Sequence, residues 1–270
     1  MKRVVTLSVV LTFLAPAQML AQSLFDGRWE IDDDLTQSSI HYDYVLQEGT
    51  FRCTTCDPLI EVKADGQDHK IAGNSCYDTV SVHVLDDRTT EKTDKKNGKT
   101  VGTLKMVASD DGSTATEDWT ESCNVKGDVL SGKDMLTRVA PGPRGSHAIS
   151  GSWKISKRVS RSENTLVITL KLTADAFGFA DPTDQGYVAK LDGTETAFKG
   201  SRDETVVSVK RIDDRTIQQT DKRNGKVVEV TTFVISADGR TLTVSQEDRM
   251  KGTARQFLLR KQWAPSSDHP

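Results

Sequence analysis

The chain has 270 residues, with 36 basic and 39 acidic side chains and a formal net charge of −3 at pH 7. A slightly acidic protein without a basic block lacks the surface that attracts nucleic acid, so no nucleic-acid partner is expected. Beyond the amino terminus, no segment is apolar over the roughly 20 residues that a helix needs to span a bilayer. These properties favour a globular, water-exposed protein.

The amino terminus has the pattern of a secretory signal peptide over residues 1–21. A short basic start precedes an almost wholly apolar run from 4 to 14, and small residues follow it. The run is shorter than the roughly 20 residues that cross a bilayer, which favours a cleaved signal over a membrane anchor. Cleavage is expected after Ala17 or Ala21, and the mature protein is expected in the periplasm or outside the cell.

An internal repeat organises the rest of the chain. The run DDRTTEKTDKKNGK at 86–99 recurs 127 positions later, at 213–226, with ten of fourteen residues identical. The match extends to both sides, and a stretch with two prolines and two glycines separates the copies. The sequence therefore predicts two tandem domains over 22–140 and 150–263, a linker over 141–149 and a flexible tail over 264–270.

Both copies have the pattern of short antiparallel strands joined by tight turns. Turn signals recur every 8–12 positions, and the strongest are the Asn-Gly pairs that begin at Asn97 and Asn224. No stretch keeps the apolar period of a helix. A meander of about eight to nine strands would leave exposed edges unless it closed, so the sequence predicts an all-β fold with two antiparallel barrels in tandem.

Each copy begins with Gly-x-Trp and ends with an arginine two positions after a leucine. The first and last strands of a closed meander are neighbours, so each arginine is expected over the tryptophan of its own copy, in a cation–π contact of about 0.5–2 kcal/mol. Each copy is also expected to fold on its own. The residues assigned to this structural closure are Gly27, Trp29 and Arg138 in the first copy, and Gly151, Trp153 and Arg260 in the second.

This combination resembles the lipocalins and the wider group of lipocalin-like (calycin-type) β-barrels. In that group, a Gly-x-Trp on the first strand is covered by a basic residue from the last strand. The whole chain is also similar to uncharacterised secreted bacterial tandem-repeat proteins with such barrels. The resemblance implies a lipocalin-like fold and a structural role for the tryptophan and arginine, and it implies no activity. The helix that usually follows a lipocalin barrel has no counterpart in this sequence.

All four cysteines lie in the first copy. An exported chain with an even number of cysteines usually forms disulfides, which predicts Cys53 bonded to Cys56 and Cys76 bonded to Cys123. Two alternatives stay open. The Cys-x-x-Cys could be redox-active, although such motifs usually begin a helix, or it could bind zinc together with Cys76 or His69.

No catalytic motif stands out in either copy. The sequence has no Gly-x-Ser-x-Gly, no His-Glu-x-x-His and no phosphate-binding glycine loop, so no catalytic residue, metal or cofactor is assigned. The five histidines have no counterparts between the copies. The repeated polar runs are interpreted as turn structure, and the three aspartates at 32–34 as an exposed strand end.

The function preferred from the sequence is non-enzymatic binding of a small apolar molecule, because small closed barrels offer a mouth and an apolar interior. Two alternatives stay open. One is an enzyme that uses the cavity for hydrolysis or isomerisation, and the other is a structural, envelope-associated protein with filled barrels. Inward-pointing polar residues at the mouth would favour the enzyme, and bulky inward side chains would favour the structural protein. The sequence by itself names no ligand-binding residue.

Overall fold

The computed structural model describes residues 23–38, 40–165, 167–201 and 203–262, apart from the side chains of 33–38 and 164. The expected signal peptide and the tail from 264 lie outside the described residues. Within the described ranges the chain forms twenty β-strands and one short 3-10 turn, Glu163–Thr165. None of the described segments forms a helix with the length and hydropathy that a membrane crossing requires.

Ten strands form the first barrel, a nearly closed antiparallel sheet. The sheet order is β4-β3-β2-β11-β10-β9-β8-β7-β6-β5, with strands numbered in chain order. The strands are β2 (Tyr42–Gln47), β3 (Thr50–Cys53), β4 (Ile60–Lys63), β5 (His69–Lys70), β6 (Thr79–Asp86), β7 (Thr89–Lys96), β8 (Lys99–Ala108), β9 (Thr114–Glu121), β10 (Leu130–Pro141) and β11 (Gly151–Arg161).

The other ten strands form the second barrel in the same way. The sheet order is β14-β13-β12-β1-β20-β19-β18-β17-β16-β15. The strands are β1 (Gly27–Ser38), β12 (Val167–Leu172), β13 (Ala176–Ala180), β14 (Gly186–Lys190), β15 (Thr196–Ala197), β16 (Val206–Asp213), β17 (Thr216–Arg223), β18 (Lys226–Ile235), β19 (Thr241–Asp248) and β20 (Thr253–Gln262).

Backbone contacts next to the sheet edges nearly close both barrels. In the first barrel, the Gly66 amide donates to the Val82 carbonyl at 2.9 Å. In the second, Gly186 and Lys199 exchange amide-to-carbonyl bonds of 3.1 and 2.8 Å. These contacts satisfy backbone groups that an open sheet edge would leave unpaired. The predicted all-β fold with two tandem antiparallel barrels is therefore confirmed.

The strand count is higher than the eight to nine expected for each copy, because short strands leave little trace in the sequence pattern. Strand β3 follows a turn at Glu48 and Gly49, whose φ angles of 52° and 72° fit a type I′ hairpin. Glu-Gly is a weaker turn signal than Asn-Gly, so the sequence pattern does not reveal this hairpin. Strands β5 and β15 have two residues each, too few for any alternation to appear.

The first strands of the two copies are exchanged between the barrels. Strand β1 pairs with β12 and β20 of the second barrel, whereas β11 pairs with β2 and β10 of the first. The expectation that residues 22–140 and 150–263 each form a barrel is therefore wrong for these two strands. The first barrel is one continuous segment, and it is inserted between β1 and β12 of the second barrel.

The Gly-x-Trp shared by the two first strands explains why the sequence could not reveal this exchange. Gly151 lies opposite Tyr44 in the first barrel, and Gly27 lies opposite Leu170 at the equivalent place in the second. Both strands carry the same Gly-x-Trp, so either one fits either barrel. A repeat alignment identifies equivalent positions, but it does not show which copy a strand joins.

Both disulfides form as predicted, and no described cysteine is free. Cys53 bonds to Cys56 within a small loop after β3, and Cys76 bonds to Cys123 across 47 residues. Closing a loop of that length removes chain entropy worth about 4 kcal/mol from the unfolded state. The bonds are compatible with an extracellular or periplasmic protein.

Strand exchange leads to a test with two fragments. A fragment of residues 41–162 holds all ten strands of the first barrel, so it should show β-type circular dichroism and a cooperative melt. A fragment of residues 163–262 lacks β1, so it should not close until a peptide of residues 23–38 is added. Because Trp29 is then the sole tryptophan present, its emission should shift to shorter wavelength as the peptide binds.

A peptide with Trp29→Ala is the matched control, since it lacks the side chain that fills the closed end. It should restore much less β-structure to the 163–262 fragment. Emission from Trp29 that stays solvent-like at saturating peptide would contradict the exchange.

Candidate functional site

A cation covers a buried tryptophan at the closed end of each barrel. The Arg138 guanidinium lies 4.1 Å from the centre of the Trp153 ring, and the Lys261 ammonium lies 5.1 Å from that of Trp29. Each indole N–H donates to the backbone carbonyl four residues earlier, at 2.8 Å. Both tryptophans are fully buried. At these ends the buried tryptophan and its cation fill the barrel and hold its first and last strands together.

The expected contact between each arginine and the tryptophan of its own copy is wrong. Arg138 covers the tryptophan of the other copy because the first strands are exchanged. Arg260 covers no tryptophan: it is exposed and forms an ion pair with Asp32 at 2.9 Å.

Arg260 was expected over a tryptophan because the last strands of the two copies were aligned one residue out of register. The ladder pairs Ala115 with Leu136 in the first barrel and Leu242 with Leu259 in the second, which makes Lys261 the counterpart of Arg138. A shift of one residue moves a side chain to the opposite face of a strand. Matching the Leu-x-Arg of the two copies therefore aligned Arg138, which faces inward, with Arg260, which faces outward.

Backbone acceptors hold the Arg138 side chain in place. Its guanidinium donates to the carbonyls of Gly112, Ala148 and Ser150. The φ of Gly151 is +143°, and a Cβ atom there would lie 2.6 Å from the Ala140 carbonyl oxygen. The closed end of the first barrel thus combines a glycine with a forked cation.

The opposite end of the first barrel carries a buried acidic side chain. Glu117 is 5% exposed and faces inward from β9, where it accepts a 3.4 Å hydrogen bond from the Tyr44 hydroxyl. Burial raises the pKa of Glu117 to about 7, and the nearby charge of Asp134 contributes to this rise. This carboxyl group changes charge near neutral pH.

Asp134, beside Glu117, is a fully partnered carboxylate. It accepts hydrogen bonds from Arg161 at 2.7 Å and from the Trp119 indole at 3.1 Å. The Arg161 guanidinium lies 5.0 Å from the centre of the Trp119 ring. Gly132 makes the space for this arrangement, because a Cβ atom there would lie 2.6 Å from Trp119.

The second barrel lacks this acidic pair. From the strand ladders, Val244 and Phe257 occupy the positions of Glu117 and Asp134. Its inward polar groups lie elsewhere: Gln219 bonds to the Tyr187 hydroxyl and donates to Asp221 at 2.7 Å. Burial raises the pKa of Asp221 to about 6.

A groove of about 920 Å³ runs between the two barrels, near the acidic pair Glu117 and Asp134. Tyr42 connects the two features, since it lines the groove and its ring stacks on Tyr44 at 6.4 Å between centres. The described residues that line the groove are Ile40, Tyr42, Thr137, Val139, Lys154, Ile155, Ser156 and Arg158 from the first barrel side, and Ser245, Gln246, Glu247, Ala254, Arg255, Gln256 and Phe257 from the second.

The sequence pattern did not predict the groove or its acidic neighbour. One signal was present: Glu117 occupies an inward position at which the second copy has Val244. A charge at a core position of an alternating strand costs free energy unless something compensates it, so it is a functional candidate. The groove had no signal, because its walls come from distant strands that the exchange brings together.

The other candidate residues have structural surroundings. His69 forms an ion pair with Asp65 at 2.8 Å, and His147 donates to the Asp86 carbonyl at 2.7 Å. The Asp86 carboxylate accepts from the Arg88 amide at 2.8 Å, which holds the repeated turn. Among the described residues, no group of three or more His, Cys, Asp or Glu side chains could hold a metal ion.

The chain matches no protein-family model, and no curated protein or solved structure is significantly similar to it.

Substituting Arg138 should destabilise the protein much more than substituting Arg260. Arg138→Ala removes a cation–π contact and three hydrogen bonds to carbonyls, so it should cost about 2–4 kcal/mol of unfolding free energy. Arg260→Ala removes an exposed ion pair and should cost no more than about 0.5 kcal/mol. Urea denaturation measures both. Equal losses would contradict a strand register in which Lys261, and not Arg260, covers Trp29.

The Glu117 carboxyl should make stability depend on pH. Its pKa is raised from 4.5 to about 7 on folding, so its favourable contribution is complete below pH 4.5 and is lost as pH rises through 7. Glu117→Gln stays neutral, so it should be more stable than the wild type at pH 8, by on the order of 3 kcal/mol. Near pH 4 the two proteins should unfold at similar urea concentrations.

Asp134→Asn is the matched comparison for Glu117→Gln, because Asp134 is stabilised by its charged partner. This substitution should destabilise the protein at pH 8 by roughly 3 kcal/mol, since it leaves Arg161 buried without its counter-ion. A Glu117→Gln variant that loses stability at pH 8 would contradict the assignment of Glu117 as a buried carboxyl group whose ionisation destabilises the fold.

Proposed function

We propose that the protein binds a small molecule with an apolar body, without catalysis, in the groove between its barrels. The observation that carries this proposal is the groove itself, whose volume of about 920 Å³ is in the range of small-molecule sites. Tyr42, Val139, Ile155 and Phe257 give it an apolar lining, and polar side chains lie among them. A few polar groups in an apolar cleft are typical of ligand sites.

The filled interiors of the barrels support a site outside them. Phe51, Met106 and Leu136 pack inside the first barrel, and Phe177 and Phe233 pack 5.3 Å apart inside the second. Removing side chains of this size from a packed core costs several kcal/mol, so a ligand would have to displace costly contacts. The groove needs no such displacement.

We also propose that the two barrels are lipocalin-like, although the residues that support the resemblance differ from those expected from the sequence. Its support is the buried Gly-x-Trp covered by a cation in both barrels. Export to the periplasm or outside the cell is proposed on the two disulfides, together with the signal-peptide pattern of residues 1–21.

One observation favours an enzyme as the second candidate. Glu117 has a pKa of about 7, which suits a general base or acid at neutral pH. Two stacked rings connect it to the groove: Tyr42 lines the groove, and Tyr44 donates a hydrogen bond to Glu117. The two functions separate on Glu117→Gln: a binding protein should keep its affinity, whereas an enzyme acting through this carboxyl group should lose turnover and retain binding.

A tryptophan placed in the groove should block binding. Ser156 lines the groove from β11, so Ser156→Trp should weaken binding of the neutral fluorescent probe N-phenylnaphthylamine by roughly tenfold or more, as expected when a bulky side chain fills a site. The measurement is a fluorescence titration of the full chain.

Ser81→Trp is the matched control, because Ser81 lies on β6 and does not line the groove. It should bind the probe as the wild type does. Absence of saturable binding by the wild type, or equal loss in both variants, would contradict the proposed function.

A further inference from the structure

The charges along the groove are mostly positive. Lys154 and Arg158 line it from β11, and Arg255 lines it from β20 of the other barrel. Among the described lining residues, Glu247 is the one carboxylate. Its charge is directed elsewhere, since it forms an ion pair with Arg249 at 2.6 Å.

Arg255 has capacity left for a ligand. Its nearest carboxylate is Glu229 at 3.8 Å, which is longer than a hydrogen bond. Its guanidinium lies 5.5 Å from the centre of the Phe257 ring, which fixes the cation beside an apolar surface. A guanidinium presents five N–H donors in a fork that matches a carboxylate.

Apolar and cationic parts of the groove therefore lie side by side. Tyr42, Ile155 and Phe257 provide the apolar wall, while Lys154 and Arg255 line the groove from opposite barrels. We propose that the ligand is an organic carboxylate with an apolar body, whose carboxylate lies between Lys154 and Arg255. This inference rests on the groove as the binding site and names the chemical class of its ligand.

The charges should contribute more to selectivity than to affinity. Arg255 is 41% exposed, so water and salt screen its attraction for an anion. The apolar body would supply most of the binding, and the cations would exclude ligands with a positive charge. Binding of the anion should weaken as ionic strength rises, whereas binding of a neutral molecule should not.

Three naphthyl compounds test the ligand class against the full chain. Naphthylacetate, naphthylethanol and naphthylethylamine share an apolar body and differ in the charge of one group. Each is titrated in competition with N-phenylnaphthylamine at low salt. Naphthylacetate should displace the probe at the lowest concentration and naphthylethylamine at the highest, with roughly two- to fivefold between neighbours in the series.

The results separate the two proposals. If naphthylethanol competes as well as naphthylacetate, the carboxylate assignment is overturned while the groove remains a site for apolar molecules. If naphthylethylamine competes best, the assignment is overturned in the opposite sense. If none of the three competes with a probe that Ser156→Trp excludes, the carboxylate assignment alone is overturned; if the wild type binds neither the probe nor the three compounds, the proposed function fails too.

Lys154→Gln, with Lys157→Gln as its control, tests the position of the carboxylate. Both lysines lie on β11, but Lys157 does not line the groove. Lys154→Gln should reduce affinity for naphthylacetate by roughly two- to fivefold and leave naphthylethanol unchanged. Equal effects of the two substitutions, or an equal loss for both compounds, would overturn the placement.

Discussion

A tryptophan buried under a cation is the contact on which both barrels depend, and in each barrel it joins strands from different copies of the repeat. Trp153 from β11 lies under Arg138 of β10, and Trp29 from β1 lies under Lys261 of β20. Each pair links the first-strand position of a barrel to its last strand, which is where a meander must close. The two barrels therefore share their closure, and the chain passes from the second barrel to the first and back.

This shared closure places the candidate site between the barrels. Because the chain crosses from β1 to β2 and from β11 to β12, strands of both barrels lie close to each other where it crosses. Tyr42, just after the first crossing, and Arg158, just before the second, both line the groove. A single copy folded by itself could form a barrel, but it would lack one wall of the groove.

Much of the fold was predictable from the sequence, and the features that were not predicted were missed for identifiable physical reasons. Turn residues such as Asn97 and the even cysteine count led correctly to antiparallel barrels and two disulfides. The strand exchange was not predictable, since the two equivalent strands carry the same Gly-x-Trp toward the same kind of core. The role of Lys261 was missed because the alignment of the last strands was wrong by one residue. The groove was missed because it depends on the exchange. Glu117 was detectable, as a charge at a position that is apolar in the other copy.

The most direct test of the exchange is the coupling energy of Arg138 with each of the two buried tryptophans, measured by double-mutant cycles in urea denaturation. The cycles combine Arg138→Ala with Trp153→Phe in one case and with Trp29→Phe in the other. The structure predicts a coupling of about 0.5–2 kcal/mol with Trp153 and additivity within about 0.5 kcal/mol with Trp29. Coupling to Trp29 with additivity at Trp153 would place each first strand in its own copy and would contradict both the exchange and the groove built on it.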